Sequence, residues 1–167
     1  MRDLTKLLHP FPPKVIKNNP SGGGIYVAHP VVEQRLLDVL GPVTTELVEM
    51  VRGNVKGKAP NPNGKSDRAR TGTPDLTNAV VGCVLRMTAT VDGRTVTVEE
   101  VGDCEEPNNW PHDGARAKDA FSDAYKRCAM RLGVGLHLWA QDAFYLSEKM
   151  LRQDEVEPEH ATPEAAS

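Results

Sequence analysis

A group of cationic side chains between residues 116 and 131 has the spacing of one helix. At about 100° per residue, one side of such a helix is apolar and holds Ala117, Phe121, Ala124, Cys128 and Leu132. The opposite side is mostly charged and holds Arg116, Asp123, Lys126, Arg127 and Arg131. Lysine and arginine on a rigid helix attract a sugar–phosphate backbone without reading its base sequence. The same pattern fits a solvated helix face in which Asp123 pairs with Arg127.

A second group of cations lies in residues 56–77, which show no clear helix or strand pattern. The segment has two acidic residues and five basic ones: Lys56, Lys58, Lys65, Arg68 and Arg70. An irregular connection of this length is usually functional or disordered. The sequence leaves a binding role and a solvated loop equally open.

The sheet that would position these groups is clearest between residues 79 and 102. Apolar and polar residues alternate from Ala79 to Val91, and the dipeptide at 92–93 (DG) predicts a tight hairpin turn. The alternation breaks at residues 99–101, which predicts a β-bulge there. Residues 43–55 fit either a helix or a strand, and their β-branched residues favour a strand. The predicted sheet is antiparallel and three-stranded.

Helices are predicted before and after the sheet residues in the sequence. Residues 1–28 should be extended, because their prolines exclude a helix, with a short strand at 25–27. A short helix should begin at His29 and end before Gly41. Asp113 should cap the long cationic helix, which Gly133 should end, and a last amphipathic helix is predicted at 140–152. The predicted fold class is α+β, with the sheet packed on the long helix and short N- and C-terminal helices.

Composition indicates one domain and a separate tail. The chain has 167 residues and a formal net charge of −3, so bulk charge does not point to nucleic acid. Residues 154–167 contain five of the 23 acidic residues and no lysine or arginine, which leaves 20 basic against 18 acidic residues in the remainder. We therefore predict a domain at 1–153 and an acidic, disordered tail at 154–167.

Cysteine usage and hydropathy indicate an intracellular protein. The three cysteines form no CxxC pair, and Cys83 and Cys128 occupy apolar positions, which predicts reduced core residues. The N-terminus is polar, unlike a signal peptide, and no apolar run is long enough to cross a bilayer. The expected location is the cytoplasm, with no membrane partner.

Three motifs, in this order, resemble the Rad-fifty-two-type single-strand annealing proteins and their phage and bacterial relatives. The first is Phe11-Pro12, the glycines at 22–24, and the helix ending at Gly41. The second is the hairpin from Arg86 to residues 100–102 (EVG). The third and most specific is 122–133 (SDAYKRCAMRLG), which looks like the signature helix of the family. Together they cover about residues 10–138.

The resemblance implies a non-enzymatic domain that assembles into rings or helical arcs and holds single-stranded DNA in a basic groove. Such proteins anneal complementary strands in recombination and double-strand break repair without nucleotide hydrolysis. A compact chain resembles the phage or bacterial members. The acidic tail could be a solubilising segment, or it could bind host or phage recombination or replication proteins.

Family positions carry over unevenly onto this sequence. Lys126 and Arg127 match the paired cations at the floor of the groove, and Lys118 matches an earlier basic position. The third family cation falls on Met130, while Arg131 lies about 100° away around the helix. The expected DNA-binding residues are Lys126, Arg127, Arg131, Lys118, Arg116, Lys14, Lys17, Lys65, Arg68 and Arg70.

Other classes of site are less well supported by spacing. Cys104, His112, Cys128 and His137 do not have zinc-finger spacing. A metal-dependent nuclease would use carboxylates. Glu99 and Glu100 are adjacent on a predicted strand, so they should point to opposite faces and not share a metal ion. The candidates for that role are Asp67, Asp75, Glu99 and Glu100. We expect no metal, cofactor or catalytic residue, with a nuclease or a structural ring-forming protein as the alternatives.

Overall fold

The structure, a computed structural model, describes residues 4–19, 24–144 and 146. The predicted acidic tail and most of the helix predicted at 140–152 lie outside these residues, as do the glycines at 22–23. In chain order, the elements are β1 (Ile16–Asn18), β2 (Ile25–Val27), α1 (His29–Val39), β3 (Thr44–Val55), α2 (Asp67–Thr71), β4 (Leu76–Val91), β5 (Arg94–Asp103), α3 (Asp113–Arg131) and α4 (Leu136–Ala140).

The main sheet is antiparallel, in the order β3-β4-β5. The strand predicted at 43–55 is confirmed as β3, and the predicted turn joins β4 to β5. Asp92 and Gly93 both have positive φ, 47° and 78°, as a two-residue turn of this hand requires. The α+β class predicted from the sequence is confirmed, with α3 packed on one face of β4 and β5.

The bulge predicted at residues 99–101 is wrong. Pairing between β4 and β5 runs without a shift from Gly82–Asp103 to Val91–Arg94. The alternation breaks because polarity inverts there: Glu100 faces α3 and pairs with Arg131 at 3.5 Å, whereas Val101 is 57% exposed on the other face. The irregularities lie instead in the pairing of β3 with β4, whose register shifts at three places.

The core lies between β4, α3 and α1. Cys83, Leu85 and Met87 of β4 are fully buried, as their alternation predicted. On α3 the most buried apolar residues are Ala120, Ala124, Tyr125, Cys128 and Ala129, so the buried side is rotated from the predicted apolar stripe. Phe121 and Leu132 of that stripe are only partly buried. Small residues face the sheet because Gly102 brings β5 against the α3 backbone.

The start of α3 is held by two residues rather than by the predicted Asp113 cap. His112 is the N-cap, and its Nδ1 accepts a hydrogen bond from Ala115 N at 3.1 Å. The Asp113 carboxylate accepts from Val80 N at 3.2 Å and pairs with Arg52 at 2.8 Å. These contacts join the first turn of α3 to β4 and β3.

The connection predicted to be irregular at 56–77 is folded. It contains α2, which Ser66 caps by accepting from Ala69 N at 3.1 Å. Backbone and side-chain bonds close its base, including Thr73 N to Lys58 O at 2.9 Å and Gly57 N to Asp75 Oδ1 at 2.7 Å. The α2 cap and the hydrogen bonds across the base of the connection therefore order a segment that lacks any apolar period.

The described N-terminal residues fold back onto α4. The strand predicted at 25–27 is confirmed as β2 and pairs with β1, and the predicted short helix is confirmed as α1. Two 3-10 turns, Leu4–Leu7 and Pro13–Val15, interrupt the predicted extended conformation. The second begins at Pro13, because proline is tolerated in a first turn. Phe11 is buried, and its N–H donates to His137 Nε2 at 3.2 Å.

Stability should fall as the pH drops below the ordinary histidine pKa, in part because of His137. Burial, together with nearby Arg35, lowers the pKa of His137 below its usual 6.5. The folded state then binds this proton less readily than the unfolded chain. The contribution of His137 to stability is therefore fully present above pH 6.5 and is lost as the pH falls below it. Protonation would also place a donor against the Phe11 N–H. Between pH 7.5 and 5.5, we expect the unfolding temperature of His137→Gln to fall less than that of the unchanged protein.

The exposed His9 supplies the control for this measurement. His9→Gln also replaces an imidazole, but at a position that makes no contact with the Phe11 N–H. An equal pH dependence in the His137→Gln variant would contradict the role of His137.

Candidate nucleic-acid interface

The cation pair of α3 lies beside a recess of about 310 Å³, which we call the α3 recess. Lys126 and Arg127 are both partly exposed. The recess is lined by Asp103, Glu105, Asp119, Ser122, Asp123, Lys126 and Arg127. Asp103 and Glu105 come from the end of β5 and the residues after it, so packing of the sheet on the helix creates the recess.

Charge in the α3 recess is mixed. Four carboxylates surround two cations, and Arg127 Nε pairs with Asp123 Oδ2 at 2.8 Å, as the helix spacing predicted. The Arg127 side chain nevertheless keeps 34% of its surface exposed. A phosphate could reach the rim at Lys126 and Arg127, while the carboxylates would oppose deeper entry.

The charge of Lys126 also affects the pKa of His29, at the start of α1. Burial is the main cause that lowers the pKa of His29, Glu33 opposes it, and the charge of Lys126 lowers it further. The His29 ring stacks on Tyr125, with 4.3 Å between ring centroids, and the Tyr125 hydroxyl donates to Glu33. This packing of α1 on α3 fixes the backbone that carries Lys126.

Trp139 is a residue of this surface that the sequence reasoning missed. It lies on α4 and is 52% exposed, and the Arg127 guanidinium carbon lies 5.2 Å from its ring centroid. The sequence feature that could have indicated its position is the pair Gly133 and Gly135, which turns the chain after α3. Gly135 has φ of 73°, a value that favours glycine, and it places α4 beside the last turns of α3.

The position of Arg116 corrects the expected set of DNA-binding residues. Only 7% of its side-chain surface is exposed, so it does not lie on a free face of the helix. Its guanidinium donates to Pro107 O and Trp110 O, both at 2.9 Å, and to Asp113 Oδ1 at 3.1 Å. Arg116 therefore fastens the 107–110 segment to α3.

The other expected cations do not converge on the α3 recess. Arg131 is 62% exposed, with Glu100 at 3.5 Å. Exposed positions are also found for Lys118, Lys14 and Lys17. On the connection between β3 and β4, Lys65 is exposed, Arg70 pairs with Asp67, and Arg68 donates to Asn108 O at 3.0 Å.

A second recess of about 460 Å³ lies between α2 and the segment before α3. Arg68, Trp110 and Arg116 are among its lining residues. Arg116 and Lys126 are ten positions apart on one helix, or about 15 Å along its axis. The basic connection thus lies near the start of α3, away from the cation pair.

Residues considered for metal chemistry are separated or paired with cations. Glu99 pairs with Arg86 at 2.6 Å and Asp75 with Lys56 at 3.4 Å. Across the described part of the chain, no group of three histidine, cysteine or acidic residues is arranged to hold a metal ion. All three cysteines are free and buried, and burial is the main cause that raises the pKa of the Cys128 thiol to about 11.

Comparison with known proteins adds no assignment. No family model matches the chain, and a search of curated proteins finds no match. Among the helices of the described ranges, none is both long and apolar enough to cross a membrane.

Proposed function

We propose that this chain binds single-stranded DNA and anneals complementary strands without nucleotide hydrolysis, as a non-enzymatic, Rad-fifty-two-type protein in homologous recombination and double-strand break repair. It acts as an oligomeric ring in the cytoplasm of a bacterial cell, as a bacterial or phage-encoded protein. The observation that carries the proposal is the accessible Lys126 and Arg127 pair on a helix whose other side is anchored to the sheet. The order of the three sequence motifs supports it.

The rigidity of α3 suits phosphate binding. The helix runs for 19 residues, packs against β4 and β5, and is joined to α1 through Tyr125 and Glu33. Cations on such a support lose less conformational freedom on binding than cations on a loop would. Contacts to phosphates alone leave the base edges free to pair with a second strand.

The carboxylates of the α3 recess make each subunit a weak binder. Asp123 already neutralises part of the Arg127 charge, so a phosphate must compete with it. Several weak sites along one strand combine into strong binding when they belong to one assembly. The acidic lining is therefore consistent with binding that depends on an oligomer.

The edges of the sheet support the oligomeric part of the proposal. β3 and β5 are the outer strands of the described sheet, with 12 and 10 residues. Leu47 and Val48 of β3 are 48% and 43% exposed. Long edges with exposed apolar residues are prone to pair with another chain.

Replacing both residues of the cation pair tests the proposal. Lys126→Ala with Arg127→Ala should weaken binding of a labelled oligothymidylate about tenfold or more, because two charge-assisted phosphate contacts are lost. The slope of log affinity against log salt should become shallower by about 1.4. Fluorescence anisotropy at several salt concentrations measures both quantities, and an annealing assay with complementary oligonucleotides should show a matching loss.

Lys6→Ala with Arg94→Ala is the matched control. It removes the same charge from two exposed residues, one in the first 3-10 turn and one at the hairpin. If both double variants bind with the affinity and salt slope of the unchanged protein, the cation pair does not bind DNA. Cleavage of the oligonucleotide in the presence of magnesium would favour a nuclease instead.

A further inference from the structure

We infer that Trp139 is a stacking platform for a nucleobase of the strand whose phosphates meet Lys126 and Arg127. This inference rests on the proposed function and adds a contact to the base that the cation pair cannot make. It assigns a role to an exposed aromatic residue that neither the charge pattern nor the core explains.

The position of Trp139 follows from the turn after α3. Its neighbour Leu138 packs against the core, and the backbone N–H of Leu138 donates to Gly135 O at 2.9 Å. One residue further along α4, Trp139 leaves 52% of its surface exposed. The core therefore anchors α4 through Leu138, while part of the indole stays exposed.

Arg127 connects the indole to the phosphate site. Its guanidinium carbon lies 5.2 Å from the Trp139 ring centroid, while its Nε is held by Asp123 at 2.8 Å. A guanidinium over an indole is an attractive cation–π contact, strongest with tryptophan. This contact orients the ring before a ligand arrives, so stacking on the exposed part costs little additional ordering.

The chemistry of a nucleotide fits this pair of neighbours. Base and phosphate are joined through one sugar, so a base on Trp139 and a phosphate at Arg127 would belong to the same nucleotide or to adjacent ones. Stacking uses the π-face of the base and tolerates any sequence. It leaves the hydrogen-bonding edge of the base available to a complementary strand, as annealing requires.

Two oligonucleotides of equal length separate base stacking from phosphate binding: oligothymidylate, and one in which every nucleotide is abasic. Trp139→Ala should weaken binding of oligothymidylate about tenfold, the loss typical of one stacked base. It should leave binding of the abasic oligonucleotide unchanged, and Trp139→Phe should retain most of the affinity for oligothymidylate. Trp110→Ala is the matched control, because Trp110 is 38% exposed and lines the other recess.

Fluorescence gives a direct readout, because the chain has only two tryptophans. In the Trp110→Phe variant, Trp139 is the sole tryptophan. Its emission should be quenched by saturating oligothymidylate and not by the abasic oligonucleotide. Light scattering and thermal unfolding of each variant show whether assembly and folding are retained.

The outcomes distinguish a failure of this inference from a failure of the proposed function. If binding depends on Lys126 and Arg127 but Trp139→Ala binds oligothymidylate normally, the stacking platform is wrong and the proposed function stands. If Trp139→Ala changes the mass of the assembly and weakens both oligonucleotides alike, Trp139 belongs to a subunit contact. If the unchanged protein binds neither oligonucleotide, both the inference and the proposed function fail.

Discussion

Gly102→Ala should lower the free energy of unfolding by about 3 kcal/mol, at the upper end of the cost of overpacking a core. A Cβ on Gly102 would lie 2.7 Å from the Ala124 Cα and closer still to Ala124 N and Ala120 O. All three atoms belong to the α3 backbone, which cannot move aside as a flexible side chain would. The variant must therefore push α3 away from β5, and urea unfolding followed by circular dichroism measures the loss.

Gly53→Ala is the matched control for this prediction, since it also adds one methyl group to a strand glycine. There the added Cβ would meet only the Val81 methyl groups, at 3.4 and 3.7 Å. The cost should be below about 1 kcal/mol, because these are side-chain atoms that can adjust. Equal losses in the two variants would show that α3 does not approach β5 as closely as the structure places it.

Arg116→Met should destabilise the protein by about 3 kcal/mol, because it removes three hydrogen bonds donated by a charged and largely buried side chain. The Arg116 side chain is 7% exposed, and its guanidinium donates to Pro107 O and Trp110 O. Methionine fills similar space but donates no hydrogen bond. The 107–110 segment should loosen as well, which amide hydrogen exchange of these residues would detect.

Arg131→Met makes the corresponding change at an exposed position of the same helix. Arg131 is 62% exposed and its contact with Glu100 is 3.5 Å long, so its loss should cost no more than about 0.5 kcal/mol. Similar losses for Arg116→Met and Arg131→Met would contradict the structural role assigned to Arg116. Arg116→Met should also leave Lys126 and Arg127 accessible, so any folded fraction should still bind oligothymidylate.

Gly102 and Arg116 both determine how α3 is held, and the position of α3 matters for the proposed function. Gly102 sets the distance between the helix and β5, whose last residue, Asp103, lines the α3 recess. Arg116 and Asp113 hold the first turn of the helix to the sheet and to the segment before it. The cation pair therefore depends on contacts made by other parts of α3 and by β5.

The sequence by itself determined the elements with a strong local period. Alternation along β4, the Asp92 and Gly93 turn, and the helix over Asp113–Arg131 depend on neighbouring residues and on backbone preferences, and all three are present in the fold. The i,i+4 pair of Asp123 and Arg127 was predicted for the same reason, because helix geometry alone brings the two side chains together. These features need no knowledge of what packs against them.

Only the tertiary structure decided which charged residues are free. Arg116 and Arg127 look alike in the helical pattern, yet one is buried by the segment at 107–110 and the other borders a recess. The order within the β3–β4 connection likewise arises from hydrogen bonds between residues distant in sequence, such as Thr73 and Lys58. Burial depends on what the rest of the chain brings to a surface, and a local period carries no information about that partner. For the same reason, the carboxylates beside Lys126 and the Trp139 ring beside Arg127 emerge only when β5 and α4 are packed around α3.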